Sequence, residues 1–162
     1  MLSQATIDSF QNDGIAFIPG LFKAHLDSLR MGVQKNIEAP GPYAAENLNE
    51  GEIGRFFDDY CNWQRINEFR NAAFDKNIAK AAALLMQSTT VQLFHDHVLV
   101  KAAGTLKPTP WHTDGPYYFV KGKKTLSFWV PLDPVKKATL RMVTGSHKWP
   151  KPVLPTKWLS NE

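Results

Sequence analysis

Hydrophobic positions change their spacing part-way along the chain. Leu26, Leu29, Val33 and Ile37 recur at steps of three, four and four, which puts them on one face of a helix. Pro40-Gly41-Pro42 ends that helix. Upstream, Ser3 is placed to cap a short helix running through Phe10, and Gly14 to stop it. Ile15-Ala-Phe-Ile18 reads as a short strand closed by Pro19-Gly20. A polar stretch to about Gly54 reads as a surface loop. Helical spacing returns across Gln64–Gln87, with Phe69, Ile78, Leu84 and Leu85 as expected core positions.

From about Thr89 the pattern becomes β-rich, in runs separated by proline, glycine and lysine. The runs are Thr90–Ala102, Trp111–Val120, Thr125–Leu132 and Thr139–Val143, with Lys121-Gly122-Lys123-Lys124 as a turn between two of them. Helices first and antiparallel strands later predict an α+β fold with a mainly β core, the strands rolling into a barrel or sandwich. The expected organisation is one domain over 1–162: a mainly helical part, 1–88, then the first strands, 89–162. Four or five strands make a poor closed barrel. Pro150, Pro152 and Pro155 follow the last run, so the sheet reads as unfinished at Glu162, whether the chain is a fragment or a natural short form.

Composition narrows the class. A chain of 162 residues has room for one domain with a real core, and 43% hydrophobic with 21% charged residues is a soluble globular balance. No apolar run approaches the roughly 20 residues that span a bilayer, and the polar start suggests no secretion signal. Cys61 is the only cysteine, which excludes a disulfide framework and a sulfur-rich metal site, and fits a reducing cytoplasm. The net charge of +4 is uneven: 8 basic and 12 acidic residues up to residue 100, then 11 and 3. Lysines on solvated loops give this balance, as does a positive rim that draws in anions. No nucleic-acid motif accompanies them.

Any metal must therefore be held by histidine and carboxylate, and Trp111-His112-Thr113-Asp114 offers both. On a strand, residues two apart face the same way, so His112 and Asp114 could reach one ion. An imidazole and a carboxylate with open positions beside them suit non-haem iron(II). A lone His-x-Asp is common by chance, and a hydrogen-bonded surface histidine has the same letters. A zinc hydrolase would need three ligands and a general base, which the sequence does not display.

The surroundings are more specific. Leu93-Phe94-His95-Asp96-His97 through Lys101, then Pro108-Thr109-Pro110-Trp111-His112-Thr113-Asp114-Gly115-Pro116-Tyr117, resembles the phytanoyl-CoA dioxygenase family. So do Ser127-Phe128-Trp129-Val130-Pro131-Leu132-Asp133-Pro134 and Leu140-Arg141-Met142-Val143 leading into Gly145-Ser146-His147-Lys148. Phe10, Asp13-Gly14 and Pro19-Gly20-Leu21-Phe22 stand in the order of that family's opening.

The resemblance implies a cupin-like double-stranded β-helix (a jelly roll) with N-terminal helices. It implies Fe(II) held by His112, Asp114 and a distal histidine, with 2-oxoglutarate as co-substrate, O2 as oxidant and a small organic or acyl-thioester substrate. Retention of Asp114 favours hydroxylation over halogenation. The implied cofactor-side residues are His97, Thr113 and Trp129, with His95 and His97 sharing one strand face with Leu99 and Lys101. The family's distal histidine and its arginine have no counterpart here. His147 belongs to the Gly-Ser-His turn and Arg141 to the strand motif before it. The competing expectation is a non-catalytic barrel that binds a partner or a small anion. Exposed sheet edges would favour a homodimer. Asp58-Asp59 reads as a solvated pair.

Overall fold

A computed structural model describes residues 2–48, 50–105, 108–122, 124–136 and 139–155. Helix α1 spans Gln4–Asp13, α2 Leu26–Glu38, α3 Asn67–Ala73 and α4 Lys76–Met86. Strands β1 (Ala45–Glu46), β2 (Phe56–Tyr60) and β3 (His97–Lys101) form one antiparallel sheet in that order. The architecture is α+β, with a small open sheet.

Local chemistry explains the helix ends. Ser3 accepts a hydrogen bond from the Thr6 amide, and Gly14 takes a left-handed conformation that donates back to the Phe10 carbonyl. Helix α4 begins where the Asp75 carboxylate accepts from the Asn77 and Ile78 amides. The predicted helix over 64–87 is thus two helices, broken at Phe74-Asp75 by that cap. His25 Nε2 lies 3.0 Å from Asp75 Oδ2 and ties the start of α2 to the cap.

The core lies between α2, α3 and one face of the sheet. Phe57, Ile66, Phe69 and Val98 are buried together, with Leu29, Val33 and Ile37 of α2 packed against them. The predicted apolar stripe of α2 therefore does face the core. Gly32 on the same helix lets α3 approach: a Cβ there would stand 2.6 Å from the Phe69 ring. Of the four expected core positions in the helical stretch, Phe69, Ile78 and Leu85 are buried and Leu84 is 37% exposed.

The strands depart most from expectation. Ile15–Ile18 is extended chain without ladder pairing. Two of the three strands arise in the first 60 residues, one of them inside the expected loop before Gly54. Among the described residues of Trp111–Val120, Thr125–Leu132 and Thr139–Val143 there is no strand, and Lys123 of the expected turn lies outside the described residues. The expected mainly β core is instead helix packed on sheet. The later part of the chain is mostly irregular and is held to the domain by specific tethers. Arg30 donates to the Leu132 carbonyl, Phe128 packs edge-on to Phe22 at 5.5 Å, and Lys148 Nζ donates to the Asn12 carbonyl at 2.9 Å.

Asp59 is the other correction. It is not solvated but fully buried, on the core face of β2. Its Oδ2 accepts from Asn36 Nδ2 and the Gly41 amide, both at 2.7 Å, and its Oδ1 from the Tyr60 amide at 2.8 Å. Arg65 stands 3.5 Å away. A buried carboxylate is tolerated where donors converge on it in this way.

Candidate metal centre

The β2–β3 register decides what the sheet shows on each face. Tyr60 pairs with His97, Asp58 with Leu99 and Phe56 with Lys101, and directly opposed residues share a face. Phe57, Asp59, Val98 and Val100 alternate onto the other face, toward the helices. The face away from the helical core therefore carries Asp58, Tyr60, His97 and Lys101. His97 stacks on Tyr60 with ring centroids 3.9 Å apart, and its Nε2 is 3.4 Å from Asp58 Oδ2. Burial pushes the His97 imidazole below its ordinary value, against the opposing pull of Asp58. Tyr60 is pushed up to about 12, by burial first and then by Asp58. His95 precedes the strand and does not share its face by alternation. Its ring nevertheless meets Tyr60 edge-on at 5.8 Å and Tyr118 at 5.6 Å.

Tyr118 links this aromatic group to His112 and Asp114. Pro110–Thr113 is not a strand, and Asp114 adopts helical angles at the head of a short 3-10 turn, Gly115–Tyr117. Pro116 suits such a turn because its φ is already fixed. The turn brings residue 118 back over residue 114, and the Tyr118 hydroxyl donates to Asp114 Oδ2 at 3.2 Å. His112 and Asp114 come together without strand pairing. Their nearest donor atoms, His112 Nε2 and Asp114 Oδ1, stand 3.2 Å apart.

The other ring nitrogen fixes what this contact means. His112 Nδ1 is 2.8 Å from the Pro110 carbonyl oxygen, which only accepts, so Nδ1 carries a proton. In a neutral ring Nε2 then turns a lone pair toward a carboxylate oxygen. Two acceptors face each other, an arrangement satisfied by a proton on Nε2 or by a cation between them. A histidine that donates its far N–H to a carbonyl is the usual arrangement of a metal ligand. Two donors about 2.1 Å from a divalent ion and at right angles lie about 3.0 Å apart. The pair fits such an ion. Among the described residues no group of three or more histidine, cysteine, aspartate or glutamate side chains gathers to complete a set.

A family model for phytanoyl-CoA dioxygenase matches residues 10–162. The chain belongs to the phytanoyl-CoA dioxygenase family. Its members are typically dioxygenases. No curated protein and no solved structure matches the chain significantly.

Within this family frame, the remaining residues singled out in the sequence fall as follows. Thr113 is used structurally: its amide donates to the Val153 carbonyl at 2.9 Å, and its hydroxyl accepts from the Val153 amide at 3.0 Å. Trp129 stands 46% exposed, outside any helix or strand. Arg141 places its guanidinium over the Trp111 ring, 5.4 Å from the centroid. His147 is far from any ligand role: its Nε2 lies 3.2 Å from the Gln11 carbonyl, at the end of α1. Tyr118, which with Tyr117 follows the His112–Asp114 stretch and reads from sequence as a candidate for the substrate mouth or for plain packing, belongs to this group; sequence reasoning missed Asp58 and Tyr60 as part of it. Only the β2–β3 register and the Gly115-Pro116 turn bring them there. No helix among the described residues is long and apolar enough to cross a membrane.

Proposed function

We propose that the chain is an Fe(II)- and 2-oxoglutarate-dependent oxygenase of the hydroxylase type, acting on a small organic or acyl-thioester substrate. The observation that carries this reading is the His112–Asp114 pair, with Nδ1 anchored on Pro110 and Nε2 facing the carboxylate at 3.2 Å. Family membership supports taking the open sheet as part of a double-stranded β-helix.

When bound, iron(II) with 2-oxoglutarate would supply the oxidising power, consuming O2 and the keto acid to give succinate, CO2 and a hydroxylated substrate. The chain's own residues present the donors. The Pro110 carbonyl holds one imidazole tautomer, and the 3-10 turn holds the carboxylate beside it. His97 and Lys101 line the neighbouring sheet face, and the basic excess after residue 100 favours anionic ligands there. His97, Thr113 and Trp129 remain the proposed cofactor-side residues. The edge strand β3 offers a route to a homodimer, and a sedimentation profile of clean monomer would count against that part.

Anaerobic addition of Fe(II) and 2-oxoglutarate to the wild-type chain is expected to give the weak visible charge-transfer band of the chelate. Aerobic turnover should give succinate. Persistence of the band in the His112→Ala, Asp114→Ala double variant would sink the ligand assignment. A second reading, a non-catalytic member that binds a small anion or a partner, is favoured by the lack of a third donor among the described residues. It predicts no succinate above a metal-free control.

A further inference from the structure

The Asp114 carboxylate has two oxygens with different surroundings. Oδ1 faces His112 Nε2, while Oδ2 accepts the Tyr118 hydroxyl at 3.2 Å. The phenol has one proton, and the carboxylate takes it. The 3.2 Å contact between the Tyr118 oxygen and Ser127 Oγ must then be donated by the serine. A directed chain therefore runs from Ser127 through Tyr118 to Asp114. It joins two runs of the chain nine residues apart in sequence. The tyrosine ring is held independently, against Phe94 at 5.3 Å and His95 at 5.6 Å.

We infer that Tyr118, backed by Ser127, is a positioning residue that fixes the rotation of the Asp114 carboxylate, so that Oδ1 alone is presented to the metal. A carboxylate 52% exposed at its side chain would otherwise turn freely. It could then present either oxygen, or both, and occupy a position that an oxygenase needs open. Hydrogen bonds that orient a ligand in this way are worth about 10–100-fold in metal affinity. The inference rests on the proposed iron site, but it has its own readout.

The test is a titration of the chain with Co(II) alone, followed by visible absorption, in wild type, Tyr118→Phe, Ser127→Ala and His112→Ala. Phenylalanine keeps the ring packing and removes only the hydroxyl, and the thermal midpoint of the metal-free protein checks that the fold is unchanged. Tyr118→Phe is expected to weaken Co(II) binding about tenfold and to alter the shape of the visible band. Ser127→Ala should weaken it in the same direction by about threefold, one neutral hydrogen bond removed. Unchanged affinity and band shape in Tyr118→Phe, with binding lost in His112→Ala, would overturn this inference and leave the iron site standing. No binding by wild type, or undiminished binding by His112→Ala, would overturn both.

Discussion

His147 closes over Gly14. The glycine sits at φ +79, and a Cβ added there would overlap the imidazole ring. The same contact is buttressed by backbone: the Gly145 amide donates to the Asp13 carbonyl at 2.8 Å. Two short motifs far apart in sequence thus form one joint, which gives the Gly-Ser-His-Lys turn its work. It anchors the later part of the chain to the C-terminal end of α1.

Gly14→Ala should therefore cost about 2–3 kcal/mol, the sum of a left-handed penalty and an overpacked contact. Urea midpoints for this variant alone, and combined with His147→Ala, separate the two. The glycine substitution should cost at least about 1 kcal/mol less when the ring is gone. Equal costs in both backgrounds would mean that the ring does not press on Gly14.

The buried Asp59 predicts an acid-sensitive core. Burial raises its pKa, but the hydrogen bonds from Asn36, Gly41 and Tyr60 outweigh that, and the net shift is downward from 3.8. A depressed carboxylate contributes stability that is full above the unfolded value and fades as pH falls through the folded one. Asp59→Asn removes the charge and turns a donor toward other donors, at a cost of about 3 kcal/mol at neutral pH. The variant should lose less of its remaining stability than wild type between about pH 4 and pH 2. Parallel acid limbs in the two proteins would show that Asp59 is not depressed.

Thr113 holds the 150s segment twice, through its amide and its hydroxyl. Thr113→Val keeps the shape and the backbone bond but removes the acceptor for the Val153 amide. Hydrogen exchange at Val153 should quicken by about tenfold, the worth of one net hydrogen bond, with exchange in α4 unchanged. No change at Val153 would mean that the segment is held by other contacts.

What the sequence made legible follows the range of the forces involved. Ser3, Gly14 and the α2 stripe act over one helical turn, so they could be read from neighbouring letters. Strand β2 could not. Phe56-Phe57-Asp58-Asp59-Tyr60 puts a carboxylate on each face, which breaks the apolar alternation by which strands are recognised. Asp59 belongs there only because Asn36, Gly41 and Arg65, distant in sequence, converge on it. The His112-x-Asp114 spacing named two side chains that do lie together, 3.2 Å apart, but not on a strand. The expected strand is absent among the described residues, and Asp114 instead heads a short 3-10 turn. Tyr118 reads from sequence only as a residue at the substrate mouth or in plain packing, and the turn Gly115–Tyr117 is what places its hydroxyl on Asp114.

His97 gives the last prediction, and its sign runs opposite to the usual histidine ion pair. Asp58 lies 3.4 Å away and favours the imidazolium, yet burial wins and the folded pKa falls below 6.5. Above the unfolded value the ring is neutral in both states and the fold gains nothing from pH. As pH falls through about 6.5 the unfolded chain takes up the proton first, so stability is lost until the folded ring protonates too. Wild type should therefore be less stable near pH 5.5 than near pH 7.5, and His97→Gln should show a smaller difference. Asp58→Asn removes the attraction that limits the shift, so it should deepen the loss. Thermal midpoints at the two pH values test the variants, and an NMR titration of the His97 ring protons reads the site directly. A His97 midpoint above 6.5 would mean that Asp58 outweighs burial, and the pH trend would then reverse.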